Sequence, residues 1–237
     1  MKRFWKDVAI DADRVVTLDG KPVRTPGRRP LALPTAALAE AVADEWRGVG
    51  ETIDPRTMPL TGLANAATDP IANDPTQFAA RLAAYGESDL LCYRAERPRE
   101  LVDRQQRAWQ PWLDWVALAY DAPLRVGCGV AYVKQHRDSV AALRRAVAGL
   151  DIAALAALGV AVPALGSLVL GLAMADGRID AQTAHTLGVL DELFQAEAWG
   201  EDAEAAARRA AIAADIELAE RFLQLTRPVE RRWPASA

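Results

Sequence analysis

An α+β fold is what this sequence predicts: a small N-terminal mixed β/α domain over residues 1–96, then a C-terminal all-helical bundle over residues 97–237. Two observations predict it. Between residues 7 and 33 the apolar residues come in short runs cut by Asp-Gly, Pro-Gly and prolines, the punctuation of strands and tight turns. From Pro98 onward they recur three or four apart, the period of a helix face. The 237 residues are 51% apolar and 25% charged, the composition of a globular chain that can bury a core.

Taken in order, DVAID, RVVTLDG, KPVRTP and RPLALP read as brief strands. Asp19-Gly20 sits between VVTL and KPV as a two-residue hairpin turn, because both residues accept positive φ. Thr35 caps a helix running to Trp46, with Glu40, Asp44 and Glu45 on its wet side, and Gly48 and Gly50 end it. Met58 to Tyr85 reads as two short helices, the second opening at Pro75. DLLCYR, residues 89–94, reads as one more strand. Pro98 then opens a long helix with an apolar stripe of Leu101, Gln105, Ala108, Trp112, Val116 and Ala119, flanked by Trp109 and Trp115. Gln135 to Leu150, 180 to 198 and 201 to 226 are three further helices. The tail from Arg227 to Ala237 is charged and proline-punctuated.

The stretch Ile152 to Ala175 holds no charge and is long enough to span a bilayer. Its alanine-rich content, its interruptions at Gly159, Pro163, Gly166 and Gly171, and the absence of a positive flank or aromatic belt argue against insertion. It reads as a short helix ending near Gly159, a connector through Pro163 and a second helix from Ala164 to Ala175, both buried inside the protein. No stable membrane insertion is expected.

The net charge of −4 gives no general reason to expect nucleic acid or an anionic membrane surface as partner. Cys92 and Cys128 form no ligand pattern and read as small buried hydrophobes in a reducing compartment. MKRFWKDVAI turns charged again at Lys6 and Asp7 and lacks the apolar core of a secretory signal, so a cytoplasmic protein is expected.

Familiar catalytic patterns are missing. GVGETIDP at 48–55 lacks the lysine and glycine spacing of a phosphate loop, and VGCGV at 126–130 falls short of a dinucleotide fingerprint. His136 and His185 lie on separate elements without a metal-ligand spacing. Cys92 sits in an apolar run with no evident base. No cofactor or metal is therefore expected. The seven tryptophans admit two readings: they knit a helical core, or some of them anchor a partner, as interface tryptophans do.

FWKDV, VVTLDGKPVRTPGRRPLALPTAALAEAVADEW, DLLCYRAERPRELVDRQQRAWQPWLDW and LDELFQAEAWGED occur in that order. Together they resemble the family of assembly chaperones for the F1 alpha subunit of ATP synthase, found in mitochondria and alpha-proteobacteria. The resemblance runs over residues 4–226. It implies a two-part fold, no nucleotide cofactor and no enzymatic activity. It also implies one partner: the unassembled alpha subunit of the proton-transporting ATP synthase, held until it pairs with beta. A chain that starts at the domain implies a bacterial cytoplasmic member, whereas a processed eukaryotic member would sit in the mitochondrial matrix.

Four residues are candidates for partner binding. Trp46 matches a position sensitive in the family, although a Trp closing an amphipathic helix also suits a core. Asp191 and Glu192 match a position where the family carries functional glutamates, and Trp199 closes the same block. Drawn as one continuous helix, residues 180–198 place Leu187, Phe194 and Ala198 on a buried line and leave Asp191 and Glu192 on a narrow polar wedge. An internal arginine, Arg208 or Arg209, is the alternative partner for that pair. Two other function classes compete: a small-molecule hydrolase or transferase whose site forms no sequence motif, and a scaffold subunit retained in a finished complex.

Overall fold

Asp19 and Gly20 take φ of 48° and 77° and turn β2 (Val16–Leu18) back into β3 (Lys21–Pro22). With β1 (Val8–Ile10) they make an antiparallel sheet in the order β1-β2-β3, with Val8 opposite Leu18 and Ile10 opposite Val16. The Asp19 carboxylate fastens the incoming chain by accepting from the backbone N–H of Asp7 and Lys6, at 2.9 and 3.0 Å. Those two bonds hold its pKa below the ordinary aspartate value.

The computed structural model describes residues 2–227, so the tail expected from Arg227 lies almost wholly outside the described residues. The chain separates into two compact units, Met1–Asp74 with Arg221–Ala237, and Pro75–Glu220. That division falls elsewhere than the 96/97 boundary read from the sequence. The small β region precedes a mostly helical remainder, as the sequence predicts.

In the first unit, α1 (Ala36–Arg47) is capped by Thr35, whose hydroxyl accepts from Leu38 N–H. It buries Leu38, Ala39, Val42 and Ala43 and packs on β1, β2 and α2 (Pro59–Ala66). Glu45, expected on the wet side, instead accepts from Leu60 N–H and Thr61 N–H, both at 2.8 Å, and so caps α2. A wide turn at Ala67–Ile71 follows, and its Asp69 accepts from Thr25 and the Gly27 N–H.

The second unit begins with α3 (Pro75–Ala83), which packs on α5 (Arg137–Ala148) and α6 (Ile152–Leu165). The expected break near Gly159 and Pro163 does not occur: α6 is continuous and ends at Gly166, whose φ is 63°. Packing is the reason. A Cβ on Gly159 would stand 2.6 Å from the Phe78 ring, and one on Gly171 2.4 Å from Val162, so the glycines let helices approach and do not end them. Only the second helix, α7 (Leu168–Ala175), keeps close to its expected span. No helix among the described residues is long and apolar enough to cross a membrane.

DLLCYR is mostly not a strand. Asp89 caps a 3-10 turn at Leu90–Cys92, leaving Tyr93–Arg94 as β4. That strand pairs in parallel with β5 (Gly127–Cys128), which lies inside VGCGV. Cys92 is buried, as expected, and burial pushes its thiol pKa up to about 12. Cys128 is exposed, contrary to expectation, because it stands on a strand of a two-stranded sheet with no strand beyond it among the described residues.

Along α4 (Arg99–Tyr120) the buried stripe is Leu101, Gln105, Trp109, Leu113 and Val116. Trp109 lies at its centre and not on its flank, while Trp112 and Trp115 are half-buried and meet edge to face. Residues 180–198 form two helices, α8 (Ala181–Gly188) and α9 (Leu190–Trp199), before α10 (Ala203–Thr226).

Candidate functional site

The break between α8 and α9 is made from a distance. Trp109 donates its indole N–H to the Leu187 carbonyl at 2.9 Å, which occupies the acceptor that a continuous helix would offer to residue 191. Val189 leaves the helical region at φ −108°, ψ 19°. The single-helix projection therefore fails. Among the residues of α9 only Leu190 is fully buried, and the expected buried line through Phe194 and Ala198 is half-buried at the first and exposed at the second.

Asp191 and Glu192 occupy the first turn of α9, where negative charge suits the helix dipole. Their side chains part. Asp191 accepts from the Gln105 amide at 2.7 Å. Glu192 lies 3.1 Å from Arg208 and 3.6 Å from Arg209 on α10, and Arg209 also binds Glu201 at 2.7 Å. The internal arginine partner weighed for the pair thus exists for Glu192. Asp191 has an amide instead.

Behind Asp191 is a buried polar chain that the sequence reading did not assign. Gln105, wholly buried, accepts from Ala95 N–H through its side-chain oxygen and from Arg94 through its backbone carbonyl, at 2.7 and 2.6 Å. Arg94 is 5% exposed, lies over the Trp109 ring at 5.1 Å, and leaves Nε and Nη2 without a hydrogen-bond partner. Burial pulls its pKa down, against the opposing charge of Asp191. The available signal was Gln105 itself: an amide inside an apolar stripe must be bonded to something.

At the far end of α9, Trp199 is 80% exposed and is followed by Gly200 at φ 93°. Flanking it in the chain are Glu197, bound to Arg104 at 2.7 Å and held below the ordinary glutamate pKa by that bond, and exposed Glu201, Asp202 and Glu204. The structure thus brings Asp191, Glu192 and Trp199 onto one ten-residue helix.

Trp46 belongs to the other compact unit. It is half-buried near the end of α1, edge-on to Trp5 with centroids 5.3 Å apart, and both indole nitrogens are buried without a partner. Among the described residues no group of three or more His, Cys, Asp or Glu side chains is placed to hold a metal ion.

The model of a family described as "ATP12 chaperone protein" matches residues 2–117. The crystal structure of Atp12 from Paracoccus denitrificans is 48% identical over 95% of this chain and 98% of that one, with a TM-score of 0.90. The chain belongs to the ATP12 chaperone family. A mutant of the same P. denitrificans protein superposes with a TM-score of 0.91. The mitochondrial protein atp12 of Schizosaccharomyces pombe is 25% identical over 217 residues, 84% of this chain and 74% of that protein. The family is described as a chaperone family, and none of these relatives is named as an enzyme. In this family member Asp191, Glu192 and Trp199 form one acidic, tryptophan-ended helix, and Trp46 is part of an aromatic cluster of its own unit.

Proposed function

We propose that this chain is an assembly chaperone for the catalytic head of ATP synthase, and that it holds the unassembled alpha subunit until beta replaces it. In a bacterial host it works in the cytoplasm. Membership of the ATP12 chaperone family supports the reading, and one observation gives it a surface: Trp199 stands exposed at the end of α9 beside a run of acids. A solvated tryptophan at the end of a helix has no stability reason to be there, whereas tryptophan anchors are common in protein interfaces. The client contact is then an apolar pocket with a basic rim, filled by Trp199 and faced by Glu192, with Asp191 fixing the start of the helix.

The experiment mixes purified alpha subunit with the chain and follows the subunit's light scattering. Wild type is expected to keep the subunit soluble at equimolar ratio. Trp199→Ala is expected to melt at the wild-type temperature and to lose most of that protection. A Trp199→Ala protein that protects as well as wild type removes α9 from the contact. A wild-type chain that protects no alpha subunit removes the client assignment.

A further inference from the structure

VGCGV, unexplained by any nucleotide fingerprint, is the core of a built loop. Its neck is clasped by Gln135, a buried amide that accepts from Arg125 N–H at 2.8 Å and donates to Arg125 O at 3.0 Å. Its rising limb is pinned by β5, with Gly127 opposite Tyr93 and Cys128 opposite Arg94, and by Gly129 N–H donating to Arg94 O at 2.8 Å. Above this fixed base the side chains are apolar and turned to solvent. Val130 at the tip is fully exposed, and Tyr132 and Val126 are exposed on either side. A rigid neck carrying an apolar tip is the form that functional surface loops take.

Two further features give the loop a partner chemistry. β5 has β4 on one side and no strand on the other among the described residues, and an open edge pairs with another extended chain. Residues 122–137 contain Arg125, Lys134 and Arg137 and no acid. The three are exposed, and Arg94, with two unpaired N–H groups, lies in register beneath Cys128. Glu96 against Gly129, Asp138 beside His136 and Asp121 at the end of α4 flank this segment, while the charge carried by the loop itself is wholly positive. The acidic end of α9 has the opposite sign.

We propose that the Arg125–Gln135 loop is a second docking site, taking an extended apolar segment with acidic flanks in the client protein, which adds as a strand along the outer edge of β5. That the segment belongs to a client rests on the chaperone reading above. A lipid surface fits less well: three cations and an open strand edge give no place in hydrocarbon for unpaired backbone groups.

The probe is a fluorescein-labelled peptide with an alternating valine–serine core flanked by glutamates, and its lysine-flanked twin, titrated with the full chain by anisotropy. The glutamate peptide is expected to bind about tenfold more tightly than the lysine peptide at low salt. The pair Val130→Ser with Tyr132→Ser, both exposed, is expected to keep the melting temperature and lose about tenfold in affinity. Arg125→Glu with Lys134→Glu is expected to reverse the flank preference. Equal binding of the two peptides, or an unaffected tip variant, overturns the proposal. So does wild-type chain that ignores both peptides yet sediments with phosphatidylserine vesicles, or a dimer that the tip variant dissolves. The alpha subunit assay separates the two readings. Protection retained by the tip variant removes the loop and leaves the chaperone. No protection by wild type, with the peptide pattern intact, removes that client and leaves the loop.

Discussion

Two of the buried charged groups in the helical unit, Asp89 and Arg94, stand five residues apart and are differently provided for. Asp89 has no exposure, and its carboxylate accepts from Leu91 N–H, Ser167 Oγ and Val169 N–H at 3.0, 2.8 and 2.9 Å. It closes the 3-10 turn before β4 and, with Ser167, caps α7. Arg94 spends one N–H on a backbone carbonyl, lies on Trp109, and leaves Nε and Nη2 unbonded. A fully bonded buried group ties elements together. A half-bonded one stores cost at a place that does something else, and here that place lies under the exposed loop and behind Asp191.

The largest effect should come from breaking the satisfied member. Asp89→Ala strands two backbone donors and a hydroxyl in the core, and is expected to cost about 3 kcal/mol, read as a shift of the denaturation midpoint. The same carboxyl sets a pH dependence. Burial raises its pKa to about 6, against the pull of its hydrogen bonds. Between pH 4 and about 6 the folded chain therefore holds more protons than the unfolded one. This contribution to stability is complete at the acid end and is lost as pH rises through about 6. Asp19, Asp54, Asp180 and Glu197, held low by hydrogen bonds, act oppositely, losing stabilisation as pH falls through their folded values. Urea unfolding compared between about pH 5.5 and 7 stays above their window. Asp89→Asn should flatten the slope there, and an unchanged slope would refute the assignment.

The next effect sharpens the contrast at Arg94. Gln105→Leu keeps the volume, strands Ala95 N–H and unties Asp191, and is expected to cost about 1–2 kcal/mol. Its diagnostic is positional: the α9 backbone amides should exchange with solvent faster while those of α7 do not. Uniform acceleration would make Gln105 an ordinary core residue, without a special hold on α9.

The elements that sequence made legible are those whose causes are local. Asp19-Gly20, Thr35, Pro75 and Pro98 each act within a turn of themselves, and the strand-rich start and helical remainder follow from their spacing. Errors arose where a distant residue decided. Trp109 takes the Leu187 carbonyl from 78 residues away and so breaks the helix at Val189. Phe78 and Val162 use Gly159 and Gly171 as clearance and carry α6 through Pro163. The β4–β5 pair joins two-residue strands whose partners lie 34 apart, too short and too remote for any period to reveal. At the candidate site, residue types were legible and their partners were not. Asp191 and Glu192 look alike in sequence, yet one meets an amide and the other two arginines.

The smallest expected effect tests whether Glu192 belongs with the satisfied kind. Its side chain and that of Arg208 are 37% and 62% exposed at 3.1 Å, while Arg209 is nearly buried. Water screens the Arg208 pair, so Glu192→Gln with Arg208→Ala in a double-mutant cycle should give a coupling of about 0.5 kcal/mol or less. The Arg209 cycle should give more, because a buried guanidinium loses one of its two carboxylates, the other being Glu201. If both couplings are small, α9 is not held by its ion pairs, and Glu192 is free to exchange Arg208 for a cation of the client at little cost. If the Arg208 coupling instead exceeds about 2 kcal/mol, the pair is a structural clamp, far outside the surface range. Glu192 then leaves the contact, and Trp199 alone carries the α9 end of the proposal.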